Sequence, residues 1–322
     1  MNKKVSILTP CYNSEKYIDD FIKSILIQDY SPMELIMVDD GSVDKTAEKI
    51  KSYEKALKEK GIELKYFYKE NGGAASAVAV GLKYVSGEYL IWPDSDDFLL
   101  KDSIKIRAAY MDSHPECNFL RCNGYVFDEA NYEKPKTVIS KLNRSTNLAD
   151  FVNFIVPWCP GCYMVRMSAF DKANPGRKIY ISKCGQNIQM MLPMAFKYPC
   201  EYLDKYVYGY VNHENSVSHS IRGYEQHIAK LSEYNEVVRQ TFSLIPENTD
   251  KYFAMNCVFT LKQKLRIAWQ YKKYDDLKYY FKEIKKDGKV DAEVLIMKTM
   301  PYNSFSKFLA RCCAYVRNRI SI

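Results

Sequence analysis

Short apolar runs alternate with amphipathic stretches over the first hundred residues of this 322-residue chain. Val5-Ser-Ile-Leu-Thr9 is a β-branched run ending at Pro10. Ile18, Phe21, Ile22 and Ile25 then fall on one face of a predicted helix that Asn13 or Ser14 can cap. A second strand, Glu34–Val38, breaks into Asp39-Asp-Gly-Ser-Val-Asp44, after which Ala47, Ile50, Tyr53 and Leu57 mark another helix. Ile62–Tyr68 reads as a third strand, Asn71-Gly-Gly73 opens a helix through Leu82, Gly87 closes the next turn, and Tyr89–Trp92 is a fourth strand. This alternation predicts an α/β chain with a doubly wound, mostly parallel sheet that binds ligands at the carboxyl ends of its strands.

Beyond about residue 100 the regular alternation stops. Phe119–Asp128, Cys162–Arg166, Lys178–Ser182 and Tyr206–Asn212 are predicted strands, and Asn147–Ile155 and Gly185–Phe196 predicted helices. From Arg222 to the end the pattern is almost wholly helical. The expected organisation is therefore two halves of one sheet domain, 1–103 and 104–221, followed by a basic helical region, 222–322. No uninterrupted apolar run reaches the ~18 residues of a membrane span, and Met1-Asn-Lys-Lys leads straight into a strand, so a cytoplasmic location is expected.

Charge changes this picture only at one end. Of the net +8, residues 261–322 carry 15 Lys and Arg against 6 Asp and Glu, and everything before is balanced. Phe305–Ile320 sets apolar residues near helical spacing with cations between them, which suits either an interfacial helix on the anionic inner face of a membrane or a packed helix with a solvated basic face. The tail lacks a nucleic-acid-binding module, and the acidic motifs upstream would repel phosphates in the absence of a metal. Ten cysteines show no disulfide framework spacing and read as small buried side chains. Cys159-Pro-Gly-Cys162 has the spacing of half a zinc site or a redox pair, but no second pair follows it.

The candidate chemistry lies in Leu90–Phe98, where an apolar strand delivers Asp94, Asp96 and Asp97 into a turn. Carboxylates that close repel one another unless a cation lies between them, and a hard ion such as Mg²⁺ or Mn²⁺ takes one or two carboxylates plus phosphate oxygens. A simple turn or cap cluster is the competing reading. Four motifs in order then carry a resemblance: Pro10-Cys-Tyr-Asn13 after the first strand, Val38-Asp-Asp-Gly-Ser-Val-Asp44, Asn71-Gly-Gly73 and Asp94-Ser-Asp-Asp97. Together they resemble family 2 glycosyltransferases of the GT-A fold, strongly over residues 4–103, more weakly to about 220, and not beyond.

The resemblance implies an inverting transferase that moves a sugar from a nucleotide-diphosphate donor, with UDP-sugar the commonest, to a cell-surface glycan, glycolipid or lipid-phosphate acceptor. Thr9, Pro10 and Tyr12 would surround base and ribose, Asp40 would meet the base, and Asp39 would support the turn. Asn71 and Gly73 would lie along the donor, with Asp94 and Ser95 on the ribose or metal shell. Asp96, with Asp97 beside it, would serve catalysis, and Asp94, Asp96 and His213 would hold Mn²⁺ or Mg²⁺. His213 belongs to Tyr210–Ser218, which is similar to the family's late His–Ser segment; an ordinary surface histidine is the alternative.

Two departures stand out. The acidic pair that supplies the family's base should open a helix after a strand, and that place reads Cys184-Gly-Gln-Asn-Ile-Gln189. Gln186 and Asn187 cannot accept a proton near neutral pH, though they can orient acceptor hydroxyls. Three accounts stay open: a carboxylate such as Asp128, Glu201, Asp204 or Glu214 acts from elsewhere, the acceptor arrives ionised, or the protein binds a nucleotide sugar with little transfer. The second departure is Val78-Ala79, where the family often carries an Arg-Asn pair.

Overall fold

The computed structural model describes residues 2–130, 132–182, 185–213 and 222–320, with the backbone alone for 314–320. Contacts divide the chain into two units, Met1–Glu214 with Val237–Thr249, and Asn215–Glu236 with Asp250–Ile322.

In the first unit, β1 (Val5–Cys11), β2 (Met33–Asp39), β3 (Ile62–Tyr68) and β4 (Tyr89–Ile91) are followed by β5 (Phe98–Leu99), β6 (Phe119–Asp128), β7 (Thr137–Val138), β8 (Tyr163–Arg166) and β9 (Glu201–Asn212). Among the described residues they form one sheet in the order β3-β2-β1-β4-β8-β6-β9-β5, with β7 against β6. β3, β2, β1 and β4 are parallel, β8 runs antiparallel to β4 and β6, and β9 returns parallel to β6. The almost continuous burial of β1 and β2 is explained by this position, since parallel central strands are covered on both faces. Helix α1 (Ile18–Leu26) buries Ile18, Phe21, Ile22 and Ile25. Helices α2 (Thr46–Ser52), α3 (Glu54–Glu59) and α4 (Ala74–Gly81) complete the crossovers.

The structure departs from the sequence reading at several elements, the short strands β5 and β7 and the helix over Met167–Ala173 among them. Lys178–Ser182 is not a strand. Asn174 takes both backbone groups of Lys178, through Nδ2 to its carbonyl at 2.9 Å and Oδ1 from its N–H at 2.9 Å, so the segment's first ladder groups are used locally and Ile181 stays 55% exposed. β9 begins at Glu201, ahead of the apolar run at Tyr206, because its pairing with β6 passes through an irregularity that leaves the first residues half-exposed. The pattern also gave no sign of α5 (Ser103–Ser113), whose buried face includes Arg107. That guanidinium is fully buried and donates to the carbonyls of Ser103, Gly161 and Tyr163.

Helices α6 (Leu148–Val152), α7 (Met167–Ala173) and α8 (Gln186–Lys197) follow, and α6 starts with a capping box between Asn147 and Asp150. Helix α9 (Tyr224–Ser243) contributes to both units. The second unit continues with α10 (Asp250–Gln270), α11 (Tyr274–Lys286), α12 (Ala292–Thr299) and α13 (Ser304–Ile320), and its own core gathers Leu265, Trp269, Leu277, Ile284, Val294 and Met297. No helix among the described residues is long and apolar enough to cross a membrane.

Candidate active site

The carboxyl ends of β1, β2 and β4 lie side by side, and the loops that follow them are stitched together. Asn13, held at φ 47°, receives an N–H bond through Oδ1 from Val43 at 3.0 Å and donates its own N–H to Ser42 Oγ at 2.9 Å. Ser14 donates its N–H to Thr46 Oγ1 at 2.8 Å, and its hydroxyl lies 2.9 Å from that of Ser95 in the acidic turn. Ser95 is thus buried and tied to the first loop. Thr9 Oγ1 is buried near the end of β1 without a hydrogen-bond partner, and Tyr12, three residues on, is 52% exposed.

The two aspartates at the end of β2 are both buried and differ in what they hold. Asp39 accepts from the Ser42 N–H at 2.8 Å and from Tyr66 OH at 2.9 Å, so it fastens the turn to β3. Asp40 accepts on Oδ1 from Lys69 Nζ at 2.5 Å and the Gly72 N–H at 3.1 Å, and on Oδ2 from the Gly73 N–H at 2.7 Å. A carboxylate offers about four lone-pair positions, so Oδ2 keeps capacity for one more donor. Asn71 closes the loop by donating Nδ2 to the Asp40 carbonyl at 2.9 Å. Gly41 at φ +81° lies so close to Asn71 that a Cβ would stand 2.7 Å from the Asn71 nitrogen, which requires glycine there. Lys69 was not legible as part of this cluster, because a Lys three residues before a Gly-Gly pair carries no pattern signal.

The three acids of the turn after β4 have distinct environments. Asp97 is almost fully buried and accepts from Tyr208 OH at 2.7 Å and the Val211 N–H at 2.8 Å, which pins β9 beneath the turn. Burial, then the charges of Asp96 and Asp94, push its carboxyl well above the usual range against those two bonds. Asp94 is pushed up to about 8 by burial and by the Asp96 carboxylate. The Asp96 side chain stays 44% exposed, and its carboxyl is raised by burial while the neighbouring His213 opposes the shift. Tyr208 also receives the Asp94 N–H at 3.2 Å, and its ring fills the space where a Cβ of Gly161 would lie at 1.9 Å. Tyr208 enters the site from 114 residues downstream of Asp94 through strand pairing alone.

His213 follows β9 and is 4% exposed. Its Nε2 lies 3.7 Å from Asp96 Oδ2 and 3.3 Å from the Asp96 carbonyl oxygen, and its Nδ1 lies 3.2 Å from Glu129 Oε2. The ring rests on Tyr17, centroid to centroid 4.4 Å. The structure therefore brings His213 to the acidic turn, whereas the rest of the segment after it, including Glu214, lies outside the described residues.

Gln186 and Asn187 open α8 behind Gly185, which adopts φ +77°. Asn187 donates Nδ2 to the Trp158 carbonyl at 3.2 Å, and its Oδ1 has no hydrogen-bond partner. Cys159, the residue after Trp158, adjoins the acidic turn: burial, then the Cys162 thiol, then Asp97 and Asp94 raise its thiol well above the ordinary value. A thiol held protonated is a poor nucleophile and a poor metal ligand. Of the other carboxylates considered as bases, Asp128 ends β6 at the same edge and pairs with Lys136 at 3.1 Å. Glu201 and Asp204 sit at the far end of the 12-residue β9, on the order of 30 Å from His213. Cys184, next to the amide pair, is outside the described residues.

Among the described residues, no group of three His, Cys, Asp or Glu side chains is arranged to enclose a metal by itself. The donors present are nonetheless those of a hard divalent ion completed by phosphate oxygens, namely the carboxylates of Asp94 and Asp96 and one imidazole nitrogen. What fits a cation there is Asp94, whose carboxyl is pushed up first by burial and then by the Asp96 carboxylate, beside an Asp96 whose Oδ2 lies 3.7 Å from His213 Nε2.

Comparison with known proteins makes the class of this half-parallel, half-mixed sheet and its strand-end site specific. Residues 6–173 match the model of glycosyl transferase family 2, so the chain belongs to that family. It is 36% identical over 113 residues to the poly(ribitol-phosphate) beta-N-acetylglucosaminyltransferase TarS of Staphylococcus aureus, covering 34% of this chain and 19% of that protein. The chain spans between 19% and 54% of the length of the curated relatives matched first. Among solved structures, S. aureus TarS 1–349 in complex with UDP-GlcNAc superposes with a TM-score of 0.58 at 20% identity, covering 91% of this chain and 86% of that one. The mannosyltransferase PcManGT of Pyrobaculum calidifontis, in complex with GDP-Man and Mn²⁺, gives 0.57 at 12% identity over 98% of this chain and 85% of that one. These likenesses establish the GT-A fold.

Proposed function

We propose that this chain transfers a sugar from a UDP-sugar to the hydroxyl or phosphate of a cell-surface glycan or lipid-linked acceptor, with inversion and with Mn²⁺ or Mg²⁺ bound. The observation that carries this reading is the gathering of Asp94, Asp96 and Asp97 in the one turn after β4, with His213 Nε2 3.7 Å from Asp96 Oδ2. When bound, the divalent ion supplies Lewis-acid neutralisation of the leaving diphosphate. Asp94, Asp96 and His213 would hold it. Thr9, Pro10 and Tyr12 bound the base and ribose, and the free capacity of Asp40 Oδ2 takes a base N–H while Lys69 and the Gly72 and Gly73 amides keep that carboxylate fixed. Asn71 and Gly73 shape the wall along the donor, and Ser95 holds the acidic turn to the first loop. Asp97 acts through Tyr208 and Val211, as the anchor of the turn that presents Asp96.

Gln186 and Asn187 orient the acceptor by hydrogen bonding, with Asn187 Oδ1 free to receive a hydroxyl. Because neither removes a proton, the reading favours an acceptor that is already anionic. The solved TarS fragment carries UDP-GlcNAc and PcManGT carries GDP-Man with Mn²⁺, which supports a nucleotide-sugar donor without naming the sugar. UDP release from a panel of UDP-hexoses with Mn²⁺ is expected to rise at least tenfold when a polyol-phosphate or lipid-phosphate acceptor is added over a neutral oligosaccharide. Donor binding with no release on any acceptor would instead favour a nucleotide-sugar binding protein, the second reading that the amide pair motivates.

Attachment to an anionic membrane surface from the cytoplasmic side is part of the same proposal. Phe305 and Phe308 are 63% and 61% exposed on α13, with Arg311 exposed beyond them. Vesicles containing phosphatidylserine are expected to sediment the full chain and to lose it on removal of residues 303–322, while neutral vesicles sediment neither. Equal sedimentation of both forms would remove the tail from the account.

A further inference from the structure

Tyr208 and Tyr210 turn the same way on β9 and meet different surroundings. The register sets Gly124, Tyr125 and Val126 of β6 beside Tyr208, Gly209 and Tyr210, so strand alternation puts the two tyrosines on one face and Gly209 on the other. A Cβ on Gly209 would meet the Phe98 ring at 2.3 Å, whereas the Tyr208 ring lies where a Cβ of Gly161 would stand. The face that the tyrosines share is therefore the one that carries the turn Pro160–Cys162. Tyr208 is fully buried and spends its O–H on Asp97 at 2.7 Å. Tyr210, about 7 Å further along the strand, is only half-buried. Among the described residues no group hydrogen-bonds its O–H and no other ring packs on it. Its neighbours are the acidic turn and Cys159: burial first, then Asp97, Cys159, Asp96 and Asp94, push its phenol up to about 12, so it stays protonated at neutral pH.

Resting on the nucleotide-sugar reading above, we propose that Tyr210 recognises the sugar being transferred, with its ring under the apolar face of the pyranose and its O–H hydrogen-bonded to a ring hydroxyl. The placement follows from the two ends that the sugar must join. Its diphosphate belongs at Asp94 and Asp96, and its anomeric carbon must be open to an acceptor held at Asn187, whose Oδ1 has no hydrogen-bond partner. Asn187 is fixed to the Trp158 carbonyl at 3.2 Å, and the next residue, Cys159, adjoins Asp97 and Asp94. The span from the acidic turn to α8 therefore passes Cys159 and Tyr210. Of these the thiol is a weak hydrogen-bonding group. Tyrosine offers a broad apolar face with a polar tip, which suits a pyranose, with C–H groups on its faces and hydroxyls at its rim. A half-buried O–H that no described protein group engages is available to such a hydroxyl, and the pairing discriminates, because a sugar lacking that hydroxyl leaves the phenol unmatched. Tyr210 thus reads the sugar and not the nucleotide.

The test is calorimetric titration of the full chain, in Mn²⁺, with UDP, UDP-glucose, UDP-galactose and UDP-N-acetylglucosamine, on the wild type, Tyr210→Phe and Tyr210→Ala. UDP affinity is expected to agree within about twofold in all three, since the nucleotide does not reach Tyr210. The best-bound UDP-sugar should weaken about 3- to 10-fold in Tyr210→Phe, and further in Tyr210→Ala, which loses the ring as well. Deoxy analogues of that UDP-sugar locate the partner: the one lacking the hydroxyl that meets the phenol is expected to bind the wild type and Tyr210→Phe equally. Melting curves of Tyr210→Phe, expected within about 2 °C of wild type, show that the loss is not one of folding. UDP and UDP-sugar weakened by the same factor, or UDP-sugar affinities unmoved by both substitutions while UDP binds, would overturn the role of Tyr210 alone. A wild type that binds neither UDP nor any UDP-sugar would overturn the nucleotide-sugar reading, and this inference with it.

Discussion

Asp96→Ala is expected to lower sugar transfer about a thousandfold while leaving the thermal midpoint of the metal-free protein within about 2 °C of wild type or above it. The two halves of that outcome have separate causes. The Asp96 side chain is 44% accessible, and among the described residues no side chain is hydrogen-bonded to its carboxylate, which His213 Nε2 approaches to 3.7 Å. Its charge also raises both Asp94 and Asp97, so removing it relieves repulsion in the folded state. Asp97→Ala provides the contrast. Loss of its bonds to Tyr208 OH and the Val211 N–H strips the anchor from β9, leaves the buried Tyr208 O–H without an acceptor, and is expected to cost about 2–3 kcal/mol of stability. Kinetics and melting curves on the two variants separate the roles: a large stability loss in Asp96→Ala, or none in Asp97→Ala, would show that they have been assigned the wrong way round.

The second large effect is structural and concerns Glu34 on β2. Its carboxylate is fully buried among Lys4 and Lys65, each at 2.8 Å, Ser6 Oγ at 2.5 Å and the Ser86 N–H at 2.8 Å. Burial alone would raise its carboxyl, but the bonds from Lys4, Lys65, Ser6 and Ser86 outweigh it and hold the group far below the carboxylate range. Glu34→Ala strands two half-buried ammonium groups. Because both retain some water, about 2–3 kcal/mol is expected rather than the 3–5 typical of a fully buried pair, or a midpoint lower by about 4–12 °C. The sign with pH follows from the depressed value: the contribution is fully present above the unfolded carboxyl value of about 4.3 and is lost as pH falls below it toward the folded value. Melting curves of wild type and Glu34→Gln from pH 7 to pH 3 should therefore converge in the acid range. A difference that stays constant, or grows, as pH falls would contradict the ion-pair account.

The parallel half of the sheet was legible because central strands covered on both faces must be continuously apolar, and the runs at Val5, Glu34 and Tyr89 have no other use. The acidic turn and the Asp39–Asp40 pair were legible for the opposite reason, since their polarity breaks apolar strands abruptly. What stayed hidden arrives through long-range pairing. Tyr208, Tyr210 and Lys69 are ordinary residues in sequence and acquire meaning only when β9 lies beside β6 and the loop after β3 folds under Asp40. The false strand at Lys178–Ser182 has a local cause, a single Asn174 side chain that satisfies the backbone groups a ladder would need. Helix α5 was missed because Arg107 occupies a core position, where its charge is met by carbonyls instead of by water.

The most direct test of the central claim, that Asp94, Asp96 and His213 form a metal–diphosphate site, is calorimetric titration of UDP into the wild type and Asp96→Ala, each with and without Mn²⁺. Binding that strengthens at least tenfold with Mn²⁺ in the wild type, and loses that gain in Asp96→Ala, is the predicted result. UDP binding of equal strength in all four titrations, or none in any, would contradict it.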